Sequence, residues 1–228
     1  FITIDTPPWA YTNSENKLVR VVPEIIDILE KRSDHKIDLY LRPFVRINID
    51  LSSGGHDCAI ITYDKSREDI VRRGATIFNM PVGVIAKKGI RLKTQDDLRN
   101  LRISWLKSLI LKPELSLYEE LTKDQEVNYL TGIRKIYYNR LDAIVGALPT
   151  IYYTAEKSGF SDLLGDSILI KNIPIDLQCS INFKNLNIMN ELNLLLVSMK
   201  NDGTLDSILN NSSFPLETII EEICPFFS

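Results

Sequence analysis

Two hydrophobic periods alternate along this chain, one of two residues and one of about three and a half. Phe1-Ile2-Thr3-Ile4 reads as a short strand that Pro7-Pro8 stops. Pro23 suits the first turn of a helix, in which Ile25, Ile26 and Leu29 share one face and which ends near Ser33. Ile37, Leu39 and Leu41 alternate cleanly, so Lys36 to Leu41 is expected to be a strand. Cys58 to Thr62 is a short apolar run of the kind found in buried strands. Thr94 followed by Asp97 is a variant of the capping box. Ile103 to Leu106 is a further strand, and Pro113 opens another helix. Val127 to Leu130 and Ala143 to Val145 read as strands, with a helix from Thr131 to Tyr138 between them. Pro149 starts a helix that Gly159 can end in a left-handed cap. Ile188, Leu192, Leu195 and Met199 fall at helical spacing, and Gly203 closes that helix. The succession is that of an α/β protein with at least partly parallel sheets.

One internal echo points to two lobes. Gly55-His56-Asp57-Cys58-Ala59-Ile60-Ile61 returns in character as Asn139-Arg140-Leu141-Asp142-Ala143-Ile144-Val145. Each copy runs turn former, Asp, small residue and then β-branched residues. Each follows a stretch that could be helical, as at a helix-turn-strand junction.

The 228 residues suffice for one large domain or two lobes of about 100 residues each. Twenty-seven basic residues against thirty acidic ones, a net charge of −3, give no electrostatic footprint for nucleic acid. No apolar run approaches the roughly 18 residues that cross a bilayer, and the start shows no n-region and h-region, so any export signal is expected to have been cut away or never to have existed. Three cysteines, Cys58, Cys179 and Cys224, are too few for a disulfide framework or a zinc cluster. They allow at most one intramolecular bridge, with three pairings open; otherwise they are small buried hydrophobes. Only two histidines occur, His35 and His56, both expected in surface turns, and no nucleophile, zinc or phosphate-loop motif accompanies them.

Six short segments, in order, resemble the extracellular solute-binding proteins of family 3, the amino-acid-type receptors of bacterial ABC importers. Asp5-Thr6-Pro7-Pro8-Trp9-Ala10-Tyr11 is similar to the family's opening strand and Pro-Pro-aromatic turn. Asn16-Lys17-Leu18 and the Pro23 helix resemble its first turn and helix, and Arg46, Leu51, Gly54 and Asp57 match a common R…L…G…D spacing. Lys65-Ser66-Arg67-Glu68 resembles its T-P-E-R stretch and Leu141-Asp142-Ala143-Ile144-Val145 its second junction. Lys200-Asn201-Asp202-Gly203-Thr204-Leu205 resembles the K-x-D-G-T-L near its C-terminus.

The resemblance implies a type 2 periplasmic binding-protein clamshell, each lobe a mixed sheet flanked by helices, with a ligand held between lobes by hinge closure. Lobe 1 would span residues 1–84 and 179–228 and lobe 2 residues 85–178, with crossings near Val84 and Cys179. The tail from Phe214 to Ser228 is expected to run past the usual family end and pack on lobe 1. It further implies a periplasmic or extracytoplasmic, non-enzymatic and monomeric transport protein, without cofactor or metal, that hands its ligand to an ABC permease. The alternative is the sensory domain of a signalling receptor, since Phe1 begins directly at the first strand as in an excised domain. Some enzymes, including dehydratases and lytic transglycosylases, share the fold.

Arg67 matches the arginine with which the family grips the ligand's carboxylate, a role suited to a planar fork of donors; otherwise it is a solvated arginine in the charged run from Lys65 to Arg73. Trp9 and Tyr11 stand where the family builds an aromatic wall, or else they pack internally. Tyr63 ends the Cys58 to Thr62 strand, where open sheets bind ligands. Asp5 ends the first strand and would accept from a ligand donor or satisfy the Pro-Pro turn. The second lobe departs from the family. Ser108 stands at its glycine and Leu109 at its hydroxyl, while Lys107 suits an anionic ligand or is a surface lysine. The acid that would pair with a ligand ammonium is Ala147 here, which argues against a standard α-amino acid.

Overall fold

A computed structural model describes residues 1–106 and 124–211. In chain order the elements are β1 (Ile2–Ile4), β2 (Tyr11–Thr12), β3 (Leu18–Val19), α1 (Val21–Ser33), β4 (Tyr40–Arg42), α2 (Phe44–Ser52), β5 (Cys58–Thr62), β6 (Val71–Lys87), β7 (Ile103–Leu106), β8 (Asp124–Glu126), α3 (Tyr129–Tyr137), β9 (Ala143–Ala147), α4 (Leu148–Lys157), β10 (Leu164–Ser180), α5 (Leu186–Asn201) and α6 (Thr204–Asn211). The expected Pro113 helix, Lys107, Ser108, Leu109 and the tail with Cys224 lie outside the described residues. The chain forms two units, passing from the first to the second at Met80–Pro81 and returning at Asn172–Ile173. The long strands β6 and β10 carry the chain across both divisions.

In unit 1, β1 runs parallel to both β4 and β5, and β10 pairs antiparallel with β5. The run Cys58-Ala59-Ile60-Ile61 is buried throughout, which is why it reads as continuously apolar rather than alternating. In α2, Ile47 and Leu51 stand one turn apart and bury one face. They pack with Ile2, Ala59, Ile61 and Val71, and each large side chain so buried contributes about 1.5–3 kcal/mol. α1 packs against α5 and α6. Cys58 and Cys179 face each other in the β5–β10 ladder and are joined by a disulfide. The reading of these two as small unbonded hydrophobes is thereby corrected, although both are fully buried.

In unit 2, β9 lies between β6, antiparallel to it, and β7, parallel to it, and β8 extends the parallel side. α3 and α4 pack against each other and against β9. Asp142 takes two side-chain bonds from Arg102, at 2.9 and 2.8 Å, and a third from the Arg102 backbone. These bonds hold its carboxyl below the usual range and tie the starts of β7 and β9 together. Asn139, before β9, occupies the left-handed region at φ 58°, whereas in the first copy of the echo the left-handed residue is Gly54, one position before Gly55.

Three sequence expectations are corrected. Only the end of the Lys36–Leu41 alternation is strand, because the ladder with β1 begins at Tyr40 opposite Ile2. Val127 to Leu130 is not a strand: Asn128 accepts from the Thr131 N–H at 2.9 Å, capping a helix that begins at Tyr129. His56 is half-buried rather than in an exposed turn, with Nε2 3.2 Å from Arg42.

Asp202 closes α5 and opens α6, accepting from the Thr204 hydroxyl and backbone and from Arg32 of α1 at 2.7 Å. These bonds, Thr204 foremost, lower its pKa from 3.8 to about 2. A depressed carboxyl contributes stability above its unfolded value and loses it as pH falls through the folded one. Asp202→Asn is therefore expected to be less stable than wild type at pH 7 and to converge with it as acid is added from about pH 4 to 2. Parallel acid-unfolding curves at a constant offset would refute this.

Candidate functional site

Within unit 1 the loops after β1, β4 and β5 start at the carboxyl ends of its parallel strands, where open α/β sheets bind ligands. Beyond β5, Asp64 caps a single 3-10 turn, Lys65–Arg67, by accepting from the Ser66 N–H at 2.7 Å. Bonding to Ser66 holds the Asp64 carboxyl below its ordinary value. The turn directs Arg67 inward, where it is 1% exposed. Its Nε donates to Gln178 Oε1 at 3.1 Å, one terminal nitrogen to Asn48 Oδ1 at 3.2 Å and the other to the Thr62 carbonyl. Gln178 is fixed in turn by donating to the Ile61 carbonyl at 3.0 Å. All three acceptors are neutral, no carboxylate pairs with Arg67 among the described residues, and two of its five N–H groups remain over. Burial lowers its pKa, yet a guanidinium stays charged. The solvated alternative for this residue is excluded by its burial.

The other expected residues fall into two groups and one outlier. Trp9 is buried and stacks on Phe78, with ring centroids 5.0 Å apart and planes 16° from parallel. The Trp9 carbonyl accepts from Val22 at 2.9 Å, which brings the start of α1 beside it. Tyr11 accepts from Arg20 Nε at 3.4 Å. Tyr63, half-buried beyond β5, lies under the Arg73 guanidinium at 4.6 Å, and Arg73 also bonds the buried Asp176 at 2.5 Å. Asp5 is exposed; Thr6 and Ala10 close the Pro-Pro turn through their own backbones, so Asp5 is not needed there. Arg20, Phe78, Asn48, Gln178 and Arg73 escaped the sequence reading. Arg20 sits at φ 91°, a position that favours glycine, which an arginine in the sequence does not announce.

At the carboxyl end of β9, Ala147 caps α4 without a side-chain bond, and no acid stands in the helix's first turn. Its N–H donates instead to the Tyr129 hydroxyl at 2.9 Å. A Cβ on Gly146 would lie 2.3 Å from the Tyr129 ring and 2.4 Å from its oxygen. Gly146→Ala is expected to destabilise the protein by about 1–3 kcal/mol by forcing that buried ring away. A melting temperature unchanged from wild type would show that the ring yields freely. A surface hollow of about 440 Å³ near the C-terminal end of α3, walled by Arg134, Tyr137 and Phe160, holds none of the sequence-predicted residues.

No protein-family model matches the chain, and no curated protein matches it. Solved structures do. One is the probable amino-acid ABC transporter extracellular-binding protein ytmK from Bacillus subtilis, 15% identical, covering 93% of this chain and 95% of its own, with a TM-score of 0.75. Another is an ancestral arginine-binding protein bound to arginine, 18% identical over 93% of this chain and 96% of its own, TM-score 0.72. A third is a histidine kinase sensor domain with similarity to periplasmic binding proteins, 12% identical over 93% of both chains, TM-score 0.73. At these identities the likeness is one of fold. The chain has the mixed α/β fold of the periplasmic solute-binding proteins, the fold expected of family 3 members. Those neighbours are binding proteins rather than enzymes.

Proposed function

We propose that the protein is a non-enzymatic, extracytoplasmic solute receptor whose two units are the two lobes of the family. It captures a small carboxylate-bearing or otherwise anionic ligand and delivers it to an ABC permease. One observation carries the reading: the Arg67 guanidinium is buried among neutral acceptors, with two donors to spare. The charge of Asp64 acts on the guanidinium without an ion pair to it, so the buried charge is only partly compensated, and a ligand oxyanion supplies both further charge and acceptors. Trp9, Tyr11, Tyr63 and the exposed Asp5 belong to the proposal as the other unit 1 residues expected at the ligand. Lys107 and Ser108 remain part of the proposal from sequence alone. The Cys58–Cys179 disulfide supports a location outside the reducing cytoplasm. No described helix is long and apolar enough to cross a membrane.

Thermal unfolding against a panel of amino acids, polyamines, small carboxylates, sugars and peptides tests this reading. A ligand at about 100 times its dissociation constant adds about 2.7 kcal/mol, or roughly 5–10 °C for a chain of this size. The expected hits are carboxylates; a hit confined to a polyamine or a neutral sugar would sink the reading. The likeness to a kinase sensor domain favours a second reading, a sensory input domain that recognises the same ligand class without a permease. Pull-down of a cognate permease by the liganded protein separates the two.

A further inference from the structure

α3 buries Tyr129, Ile133 and Ile136 on one face, so the two tyrosines that follow Ile136 fall away from the core. Tyr137 is 52% exposed and Tyr138 65%. Their ring centroids stand 5.1 Å apart with planes at 76°, and Phe160 lies 5.5 Å from Tyr137, tilted by 44°. Phe160 is set just after α4 by donating its N–H to the Ala155 carbonyl at 2.8 Å. The 3-10 turn Ser161–Leu163 follows, pinned where the Leu163 carbonyl accepts from the Lys88 N–H at 2.8 Å. All of these residues belong to unit 2. They wall the hollow of about 440 Å³, a volume within the range of small-molecule sites. Arg134 and Asp162 complete the wall. Both are exposed, and neither has an ion pair or a side-chain hydrogen bond among the described residues.

Three rings tilted against one another form a corner rather than a parallel slot, so they suit a rounded head better than a flat ring. A ring face attracts a cation within about 6 Å, and the Asp162 carboxylate adds to that attraction. Arg140 lies over the Tyr138 ring at 6.0 Å, so a cation already rests at the edge of this cluster. A primary ammonium suits the corner poorly, because it holds its water and its N–H groups need acceptors. A fully methylated ammonium has no N–H and offers its methyl groups to the rings. Arg134 repels a bare cation but pairs with an anion carried on the same molecule.

We propose that this hollow is a second binding site, for a small zwitterion that joins a quaternary ammonium head to a carboxylate, the betaine class. The rings and Asp162 hold the head, and Arg134 holds the carboxylate. The site is independent of the anionic-ligand reading, since Arg67 belongs to unit 1.

Four probes test it, each titrated into the full chain and followed by its proton resonances. Glycine betaine and 3,3-dimethylbutyrate share shape and carboxylate and differ only in a nitrogen or a carbon at the head. Choline keeps the head without the carboxylate; glutarate carries no cation and tests the Arg67 reading separately. Wild type is expected to bind betaine about tenfold more tightly than 3,3-dimethylbutyrate, the combined effect of two exposed cation–π contacts. The betaine methyl resonance should move upfield, as it does over ring faces. Choline should bind a few-fold more weakly than betaine, because an exposed ion pair adds little. Tyr137→Leu keeps apolar bulk at an exposed position and removes a ring face, so the betaine preference should fall several-fold. Asp162→Asn should weaken betaine and choline alike, and Arg134→Gln should narrow the gap between them. Melting curves of the variants confirm that they fold. Equal affinity for betaine and 3,3-dimethylbutyrate, a preference that survives Tyr137→Leu and Asp162→Asn, or no betaine binding overturns this inference and leaves the anionic-ligand reading to its glutarate result. Betaine binding lost in Arg67→Met but kept in the unit 2 variants also overturns it, and supports the anionic-ligand reading instead.

Discussion

Replacing Cys58 and Cys179 together with alanine is expected to lower stability by about 2–5 kcal/mol, or roughly 5–15 °C in melting temperature. The two residues stand 121 positions apart, so the bond closes a loop that contains the whole of residues 81–172. In the chain-entropy description a cross-link over so long a loop removes more freedom from the unfolded chain than one over a short loop. The packing term works in the same direction. Both sulfurs are fully buried between β5 and β10, in line with Ala59 and Ile60 on one strand and Leu177 on the other. Alanine at both positions leaves unfilled volume there. Because the bond is inaccessible in the folded state, a reductant should act slowly on native protein and quickly once denaturant is present. A double variant melting within a degree of wild type would show that the ladder holds without the cross-link. A fast loss of stability in reductant alone would show that β10 opens readily.

That bond also marks where sequence reading stops. The apolar runs of β5 and β9 and the alternation leading into β4 are local patterns, and the chain displays them. The partner strand β10 does not advertise itself. Over its 17 residues the exposure changes from mixed in Leu164–Asn172 to fully buried in Asp176–Ser180, while Gly165 and Pro174 interrupt the period. β6 behaves likewise, with Gly74, Pro81 and Gly83 along a strand whose last third is buried on both faces. Gly83 is demanded by close packing, since a Cβ there would meet the Ile168 carbonyl at 2.2 Å. A glycine placed by long-range packing looks in sequence like a turn. With β10 unseen, its register against β5 could not be known, and three cysteine pairings stayed open.

The site divides along the same line. Arg67 is legible because a short motif places it after an apolar strand. Its surroundings are not, because Gln178 lies 111 residues away and Asn48 lies 19 away on another element. The Val127 to Leu130 misreading hid Tyr129 for a related reason. An apolar pair around Asn128 scores as strand, whereas the Asn128 cap turns the chain into α3 and carries Tyr129 onto Gly146. The absence of an acid at Ala147 could be read from the chain alone; that a phenol holds the Ala147 N–H could not.

Arg67→Met is expected to abolish measurable glutarate binding, a loss of more than about 100-fold, while leaving the ligand-free protein within about 2 kcal/mol of wild type. Two large terms oppose each other in the ligand-free state. Methionine strands the side-chain oxygens of Gln178 and Asn48 and the Thr62 carbonyl, each at about 1–3 kcal/mol. It also removes a buried charge that Asp64 offsets only in part, without an ion pair, which returns some of that loss. With a ligand carboxylate present the second term changes sign, because the charge is then paired and its spare donors are used. Arg67→Lys separates the two further. It retains the charge but cannot span three acceptors, so it should be less stable than the methionine variant in spite of its closer chemistry. Melting curves without ligand, set beside glutarate titrations, give both quantities. If Arg67→Met instead melts ten degrees or more below wild type and binds glutarate unchanged, the guanidinium is a structural strut and the ligand's anion is held elsewhere.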